Sequence, residues 1–238
     1  MRISAARSPY RNSLLASLSA EAIERLAPNL VLVELERGRI LHEAGEPVTT
    51  VYFLEQGICS VVVTMKNGST VEAGIIGRDA FVGIPAVLGT GQSSNRAYIQ
   101  LPGSGFSIKA KILREQMSHP SGELRSCLFR AMQGILAQTA QTAACNRVHE
   151  LEERLARWLL MCHDRVQIDR LPITHELLAI MLGTRRSTVT VTAGILQKAG
   201  LIESKRGNVT IRNRKGLEEA TCECYSFIHD EYIRLGLL

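Results

Sequence analysis

The chain has 238 residues, of which 45% are hydrophobic and 21% are charged, and its formal net charge is +5. This length is enough for one large domain or two modest ones, each with an apolar core that needs no disulfide or metal to be stable. The composition is that of an ordinary globular protein, which excludes collagen-like, purely coiled-coil and disordered chains, and so small a net charge identifies no partner by itself.

A short helix is predicted for residues 12–28, where Ser19 can cap the N-terminus, Glu21 favours its positive end and Pro28 stops it. Residues 1–7 contain no apolar stretch of the kind found in signal peptides. No later window approaches the ~20 apolar residues of a membrane-spanning helix. We therefore expect a cytoplasmic protein without a membrane partner.

Short β-type runs separated by glycines follow over residues 30–108. Asn67-Gly68 between two of these runs predicts a hairpin, because both residues tolerate the positive φ of a tight turn. Several short strands at such spacing predict a sandwich or a barrel.

After Pro120, residues 121–148 predict one long helix with a narrow apolar stripe. A narrow stripe beside small residues such as Ala140 and Ala143 suits packing against an identical helix. We therefore predict a homodimer interface, with packing against the chain's own β domain as the alternative. The predicted interface residues are Leu124, Leu128, Ala131, Ile135 and Thr139.

A hinge is expected at residues 146–150, and a second helix should follow it. Apolar residues at three- and four-residue steps, including Leu155, Trp158 and Cys162, predict the buried side of that helix.

The last third of the chain contains the pattern of two short helices joined by a tight turn. Thr174 can cap a helix that begins at His175, the small Ala179 allows a close helix crossing, and Gly183 supplies a left-handed turn residue. The second helix is expected over residues 185–198, and its inward residues are predicted to be Val189, Ile195 and Leu196. This is the pattern of a helix-turn-helix whose second helix reads DNA.

The outward side of the second helix offers hydrogen-bond donors that have little use in a core. Arginine can bind guanine O6 and N7 in the major groove, and Ser or Thr can reach bases or phosphates. A two-stranded wing is predicted over residues 203–211, with Gly207-Asn208 at its tip. The candidate DNA-binding residues are Thr174, His175, Arg185, Arg186, Ser187, Thr188, Thr190, Lys205, Arg206 and Asn208.

Basic charge is concentrated in the same region. Residues 183–215 contain eight basic side chains and a single acid, Glu203, and the residues after this window are net acidic. A basic block of this kind is typical of a surface that binds nucleic-acid phosphates. On charge alone, a solvated surface is an equal alternative.

The whole arrangement resembles the Crp/Fnr family of bacterial transcription regulators, over roughly residues 14–211. The motifs that carry the resemblance are Gly38-x-Ile40-Leu41, Gly45-Glu46, Val51-Tyr52-Phe53-Leu54-x-x-Gly57, Phe81-Val82-Gly83, Glu153-Arg154-Leu155-Ala156 and Ile173-Thr174…Gly183…Thr188-Val189.

The resemblance implies an α+β chain with three parts. These are a cyclic-nucleotide-binding-like β jelly roll that acts as the sensor over residues 12–118, a dimerisation helix over 119–148, and a winged helix-turn-helix over 149–238. Arg186 and Ser187 fall on the family's recognition positions. Because Ser187 stands where a Glu is common, the family's usual DNA half-site is not expected.

The ligand pocket departs from the family's cyclic-nucleotide pattern. Nucleotide binders of the family have Gly-Glu after the Phe-Gly turn, whereas this chain has Gly83-Ile84-Pro85. The binders also have Arg-Ser directly before an Ala, whereas this chain has Asn95-Arg96 before Ala97. We therefore expect an effector other than cyclic AMP, or none. The candidate pocket residues are Gly83, Ile84, Ser94, Asn95 and Arg96.

The six cysteines are predicted to be buried or idle thiols of a reducing compartment. Cys222 and Cys224 stand two apart in an expected helix, so they should point to different sides and make a poor ligand pair. The sequence therefore predicts no metal and no cofactor, with a zinc or iron–sulfur site as the alternative.

The predicted function is that of a homodimeric regulator that binds an inverted repeat in double-stranded DNA, with RNA polymerase as a further candidate partner. The alternative is a ligand-binding module whose helical domain contacts a protein. No enzyme is expected, because the chain contains neither a hydrolase nucleophile motif nor a dinucleotide fingerprint.

Overall fold

The computed structural model describes residues 8–238, so the expectation about residues 1–7 lies outside the described residues. The chain is an α+β protein: a β-rich N-terminal part, a long helix, and a helical C-terminal part with a small sheet. None of the helices within residues 8–238 is both long and apolar enough to cross a lipid bilayer.

Two short helices replace the single helix predicted for residues 12–28: α1 (Ser13–Ser17) and α2 (Ala20–Leu26). Asn12 caps α1 by accepting hydrogen bonds from two backbone N–H groups, and Ser19 caps α2. The break falls at Leu18, because its backbone is extended and cannot continue the first helix.

The N-terminal β roll consists of two antiparallel sheets that enclose an apolar core. One sheet has the order β1-β7-β3 and the other β2-β6-β4-β5. The strands are β1 (Val31–Leu35), β2 (Ile40–His42), β3 (Thr50–Leu54), β4 (Ile58–Thr64), β5 (Thr70–Ile76), β6 (Arg96–Leu101) and β7 (Gly103–Lys109). Two helices complete this part: α3 (Pro85–Leu88) and α4 (Ala110–Met117).

The hairpin predicted at Asn67-Gly68 joins β4 and β5, but its turn differs from the expected one. Gly68 has a φ of +83°, whereas Asn67 is not among the residues of positive φ. The reason is the length of the loop: Met65 N–H donates to the Ser69 carbonyl at 2.8 Å, which leaves three residues in the loop and needs only one left-handed position.

The long helix, α5 (Glu123–Val148), begins and ends close to its predicted bounds. The stripe predicted for dimer contact is wrong in part, because Leu124, Leu128 and Ala131 are buried inside the chain's own core. Ile135 is half-buried and Thr139 is exposed, at the edge of the β roll.

A C-terminal helix, α10 (Cys224–Arg234), accounts for part of this burial, since it packs along α5. A Cβ atom at Gly134 would lie only 2.9 Å from the Leu237 side chain. The apolar face of α5 that remains outside is a different one, with Phe129 50% and Leu136 71% exposed.

The second helix, α6 (Leu151–Val166), is buried over most of its surface. Leu155, Trp158 and Cys162 are buried as predicted. The burial extends further than one side, because α6 contacts β4 of the β roll as well as helices of the C-terminal part. This helix therefore links the two halves of the chain.

The C-terminal part contains a three-stranded sheet of order β8-β10-β9, rather than the two-stranded wing that was expected. Its elements are β8 (Arg170–Leu171), α7 (His175–Leu182), α8 (Arg186–Lys198), β9 (Ile202–Lys205), β10 (Asn208–Ile211), α9 (Arg214–Glu219) and α10.

Two predictions about side-chain direction are wrong in this part. Ile195 is exposed rather than inward, because Thr192, Ala193 and Leu196 already form the buried side of α8. Cys222 precedes α10 instead of lying in it, so its side chain is free to approach that of Cys224.

Candidate nucleic-acid interface and effector cavity

The turn between α7 and α8 has the geometry expected of a helix-turn-helix. Thr174 accepts a hydrogen bond from the Leu177 N–H at 3.2 Å and so caps α7. Gly183 ends the helix at a φ of +63°, in the left-handed region that a side chain would strain. Ala179 of α7 is buried, and the two helices contact each other.

The first turn of α8 carries the predicted reading residues on its outer surface. Val189 anchors the inner side and is fully buried. The predicted reading residues are all exposed: Arg185, Arg186, Ser187, Thr188 and Thr190. No side chain caps the helix, and its first turn contains no acid. The free backbone N–H groups therefore add to the positive potential of this end.

His175 connects the recognition helix to the wing. Its Nδ1 lies 3.0 Å from Thr190 Oγ1, and its Nε2 lies 2.7 Å from Ser204 Oγ. Because Thr190 Oγ1 donates to the Arg186 carbonyl at 3.0 Å, it accepts from the ring N–H. Burial, and then the charge of Arg186, lower the pKa of His175, which favours the neutral ring, whose Nε2 accepts from the Ser204 hydroxyl.

The wing is a hairpin whose two-residue turn is Arg206-Gly207, both with positive φ. The predicted tip is one residue off, because Asn208 already belongs to β10 and its amide donates to the Arg206 carbonyl at 3.0 Å. Lys205 and Arg206 are exposed, whereas Asn208 is half-buried and braces the turn.

The eight basic residues of the 183–215 window separate into two groups. Arg212 pairs with Glu203, and Arg214 pairs with Asp164 at 2.7 Å and with Glu218 at 2.8 Å. Within residues 8–238 the other six form no ion pair: Arg185, Arg186, Lys198, Lys205, Arg206 and Lys215. The basic residues without an ion pair thus include those at the start of α8 and on the wing.

A cavity of about 190 Å³ lies between the β roll and α5. Gly83, Ile84 and Asn95 line it as predicted. Ser94 and Arg96 do not line the cavity. The guanidinium of Arg96 forms an ion pair of 2.8 Å with the Glu43 carboxylate instead.

The cavity lining includes no lysine or arginine. His42 is its one ionisable side chain, and burial lowers the pKa of this imidazole, so the ring is neutral at neutral pH. Ile135, Gln138 and Thr139 of α5 form the opposite wall. Periodicity alone assigned Ile135 and Thr139 to a dimer face, and no sequence signal indicated Gln138.

Behind the cavity, two buried polar contacts join α6 to the β roll. Arg165 pairs with Asp79 at 2.7 Å and also donates to Gln138 Oε1 at 2.9 Å. Trp158 Nε1 donates to Glu72 Oε1 at 2.7 Å. Burial raises the pKa of Glu72 to about 7. The wall of the cavity is therefore hydrogen-bonded to the helix that leads into the C-terminal part.

The models of two protein families match this chain, one over the β roll and one over the helix-turn-helix. Residues 32–119 match the cyclic nucleotide-binding domain, and residues 153–220 match the Crp-like helix-turn-helix domain. The chain belongs to the Crp/Fnr family of transcription regulators. Members of this family bind DNA and act as dimers.

Similar proteins agree with this assignment. The global nitrogen regulator of Synechococcus elongatus is 24% identical over 201 residues, which cover 80% of this chain and 89% of the relative. A Crp/Fnr-family regulator from Eubacterium rectale superimposes with a TM-score of 0.67 at 20% identity, covering 87% of this chain and 96% of that one. The c-di-GMP-responsive regulator CLP of Xanthomonas campestris has a TM-score of 0.67 at 16% identity, covering 81% and 99%.

These matches confirm the predicted fold class and the function of a DNA-binding transcription regulator, and the homologues are regulators rather than enzymes. The domain bounds and the roles of individual site residues stay predictions.

Proposed function

We propose that this Crp/Fnr-family regulator reads DNA with the first turn of α8, where Arg185, Arg186, Ser187 and Thr188 enter the major groove. The supporting observation is that the two arginines are exposed and without an acidic partner within residues 8–238. Charges that are free in the protein pay no cost to leave an ion pair when they bind a base or a phosphate.

The wing supplies phosphate contacts in this proposal. Lys205 and Arg206 are exposed beside the start of α7, since a Cβ atom at Gly207 would lie 3.6 Å from the Thr174 methyl group. Thr174 is exposed on the same surface. His175 fixes the wing and the recognition helix relative to each other through its contacts with Thr190 and Ser204, and Asn208 braces the turn of the wing.

A homodimer forms through the outward face of α5 rather than through the stripe read from periodicity. Phe129, Leu136, Ala140 and Ala143 are exposed on that face at steps of seven, four and three residues, the spacing of a helix–helix seam. A two-fold axis along this seam relates the two recognition helices, which then bind half-sites about one helical turn, ~34 Å, apart.

The effector, where there is one, is a small uncharged molecule in the cavity between the β roll and α5. The lining has no cation for a cyclic phosphate, which argues against cyclic AMP. A ligand there touches Ile135, Gln138 and Thr139, so it can shift α5 and with it the dimer. We place the regulator in the cytoplasm, with RNA polymerase as a further candidate partner.

Selection of bound sequences from random DNA tests the proposal with the full chain. We expect an inverted repeat whose affinity falls steeply as salt rises, because phosphate neutralisation releases counterions. Adding a panel of cyclic nucleotides should change neither the sequence nor the affinity. If instead no sequence is enriched and binding is independent of salt, the basic surface serves a protein partner.

The dimer seam has its own test. Leu136→Glu places a charge at the most exposed apolar position of α5 and should give a monomer in sedimentation velocity. Leu128→Glu is unsuitable as a control because that residue is buried, so Lys111→Glu on α4 serves instead and should stay dimeric. A Leu136→Glu protein that remains a dimer would place the interface elsewhere.

A further inference from the structure

Three cysteines and a histidine converge at the end of α5. Cys145 lies in the last turn of that helix and His149 follows its last residue, whereas Cys222 and Cys224 come from the turn that begins α10. The three sulfurs and a ring nitrogen of His149 all lie within 4.8 Å of one another. Two segments more than seventy residues apart in sequence thus contribute to one compact cluster.

The distances suit a single tetrahedral metal ion. Zinc binds sulfur at about 2.3 Å and imidazole nitrogen at about 2.0–2.1 Å, so tetrahedral geometry puts two sulfurs about 3.75 Å apart and a sulfur about 3.5 Å from the nitrogen. Here Cys145 Sγ lies 3.5 Å from Cys222 Sγ, and Cys224 Sγ lies 3.5 Å from His149 Nδ1. Three thiolates and one imidazole form a closed ligand set of the structural zinc type.

Neighbouring groups orient the ligands as they do in metal sites. His149 Nε2 lies 3.2 Å from a carboxylate oxygen of Glu223, so Nδ1 is left to face the sulfurs. A metal-bound histidine ordinarily donates its other ring N–H to such a carboxylate. Gln141 donates to Cys224 Sγ at 3.1 Å, a contact that stabilises a thiolate more than a thiol.

Burial and charge also fit a closed site. Cys145, Cys222 and Cys224 are 0%, 4% and 1% exposed. One zinc ion and three thiolates carry a net charge of −1, and Arg154 and Arg157 of α6 lie close enough to interact with the sulfurs. The protein therefore supplies positive charge beside the cluster.

We propose that Cys145, His149, Cys222 and Cys224 bind one zinc ion. Binding is coordination without a redox step: Zn²⁺ accepts electron pairs from three thiolates and one neutral imidazole, and the three thiol protons pass to solvent. The ion would join the end of α5 to the start of α10, at the bend between α5 and α6. It would thereby fix the angle at which the long helix meets the DNA-binding part.

The first experiment measures metal in the full chain, purified without chelator. We expect one zinc ion per chain by elemental mass spectrometry. After exchange of zinc for Co²⁺, we expect the sulfur-to-cobalt charge-transfer absorption of a tetrahedral thiolate site. A protein that contains no zinc, takes up no Co²⁺ and carries a Cys145–Cys222 disulfide in peptide mass mapping would overturn the proposal.

Variants then assign the ligands. Cys145→Ser and Cys224→Ser should lose the zinc, whereas Cys127→Ser, at an equally buried thiol outside the cluster, should keep it. Equal zinc content in all three variants contradicts the assignment.

Because a ligand variant can fail to fold, Glu223→Gln gives an independent measurement. The side chain of Glu223 is 77% exposed, so its replacement leaves the core intact. We expect a 10–100-fold weaker zinc affinity in competition with a chelator, as is usual when an outer carboxylate is lost. An unchanged affinity shows that His149 is not held as a ligand.

Discussion

Arg186 and Arg165 belong to the same half of the chain but have opposite surroundings. Arg186 is exposed at the start of α8 and has no acidic partner within residues 8–238. Arg165 is buried in α6, where it pairs with Asp79 and lies 5.3 Å from the centre of the Tyr232 ring. A free surface charge is available to a partner, whereas a paired buried charge is committed to holding two parts of the protein together.

The buried contacts between α6 and the β roll differ from the proposed DNA-binding surface on α8 and the wing in one further respect. Their polar groups are buried and pair with one another through Arg165–Asp79 and Trp158–Glu72, so a change there acts on folding. The groups on α8 and the wing are exposed, so a change there acts on binding and leaves the free energy of unfolding nearly unaltered. The predictions below test this division.

The largest effect is expected at the buried pair. Arg165→Met removes the ion-pair partner of the buried Asp79 and leaves its carboxyl group with the hydrogen bond from the Gly77 N–H, which should lower the free energy of unfolding by about 3–5 kcal/mol. Urea unfolding followed by circular dichroism measures it. The exposed control Arg185→Met should change stability by less than about 0.5 kcal/mol, and an equally small loss for Arg165→Met would contradict the structural role.

Glu72 should make stability depend on pH. Its pKa is raised from 4.5 to about 7 by burial, against hydrogen bonds from Ser60 and Trp158 and the charges of Arg157 and Arg165. Below pH 4.5 the carboxyl is protonated in both states. As pH rises towards 7, the unfolded chain loses this proton first, so the folded state becomes less stable, and above pH 7 the full loss remains.

Glu72→Gln removes that titration while keeping a hydrogen-bonding side chain. Relative to the wild type, the variant should gain about 3 kcal/mol between pH 4.5 and pH 8. Unfolding curves of both proteins across this range measure the difference. Parallel pH profiles would mean that the carboxyl is hydrated in the folded protein.

Next in size is the reading residue. Arg186→Ala should weaken binding to the selected operator by about 1–3 kcal/mol and relax the preference for one base pair, because a bidentate contact to guanine is lost. Gel-shift titrations on the operator and on its single-base variants measure both effects. Wild-type affinity and specificity in this variant would remove Arg186 from the reading surface.

The smallest effect is expected on the wing. Lys205→Ala should weaken binding to all sequences about equally and lower the slope of log K against log salt by about one, because a phosphate contact carries no sequence information. Lys111→Ala, the same change on α4 of the β roll, is the control and should match the wild type. A change in sequence preference would instead assign Lys205 to a base.

Local features were predictable from the sequence because local chemistry decides them. Thr174 caps α7 and Gly183 ends it through hydrogen bonds and a backbone conformation that involve only their near neighbours. The outward direction of Arg185 and Arg186 follows from the same short segment. For this reason the helix-turn-helix and the exposure of these arginines could be predicted from the sequence.

Contacts between distant segments decided the rest. Periodicity showed that Leu128 and Ala131 face something apolar, but only the packed chain shows that this partner is its own core, with α10 beside α5. Arg96 was predicted to line the effector pocket, but its side chain pairs with Glu43, fifty-three residues away. Cys145 and Cys222 meet for the same reason: their proximity depends on how the chain folds back, which no local pattern encodes.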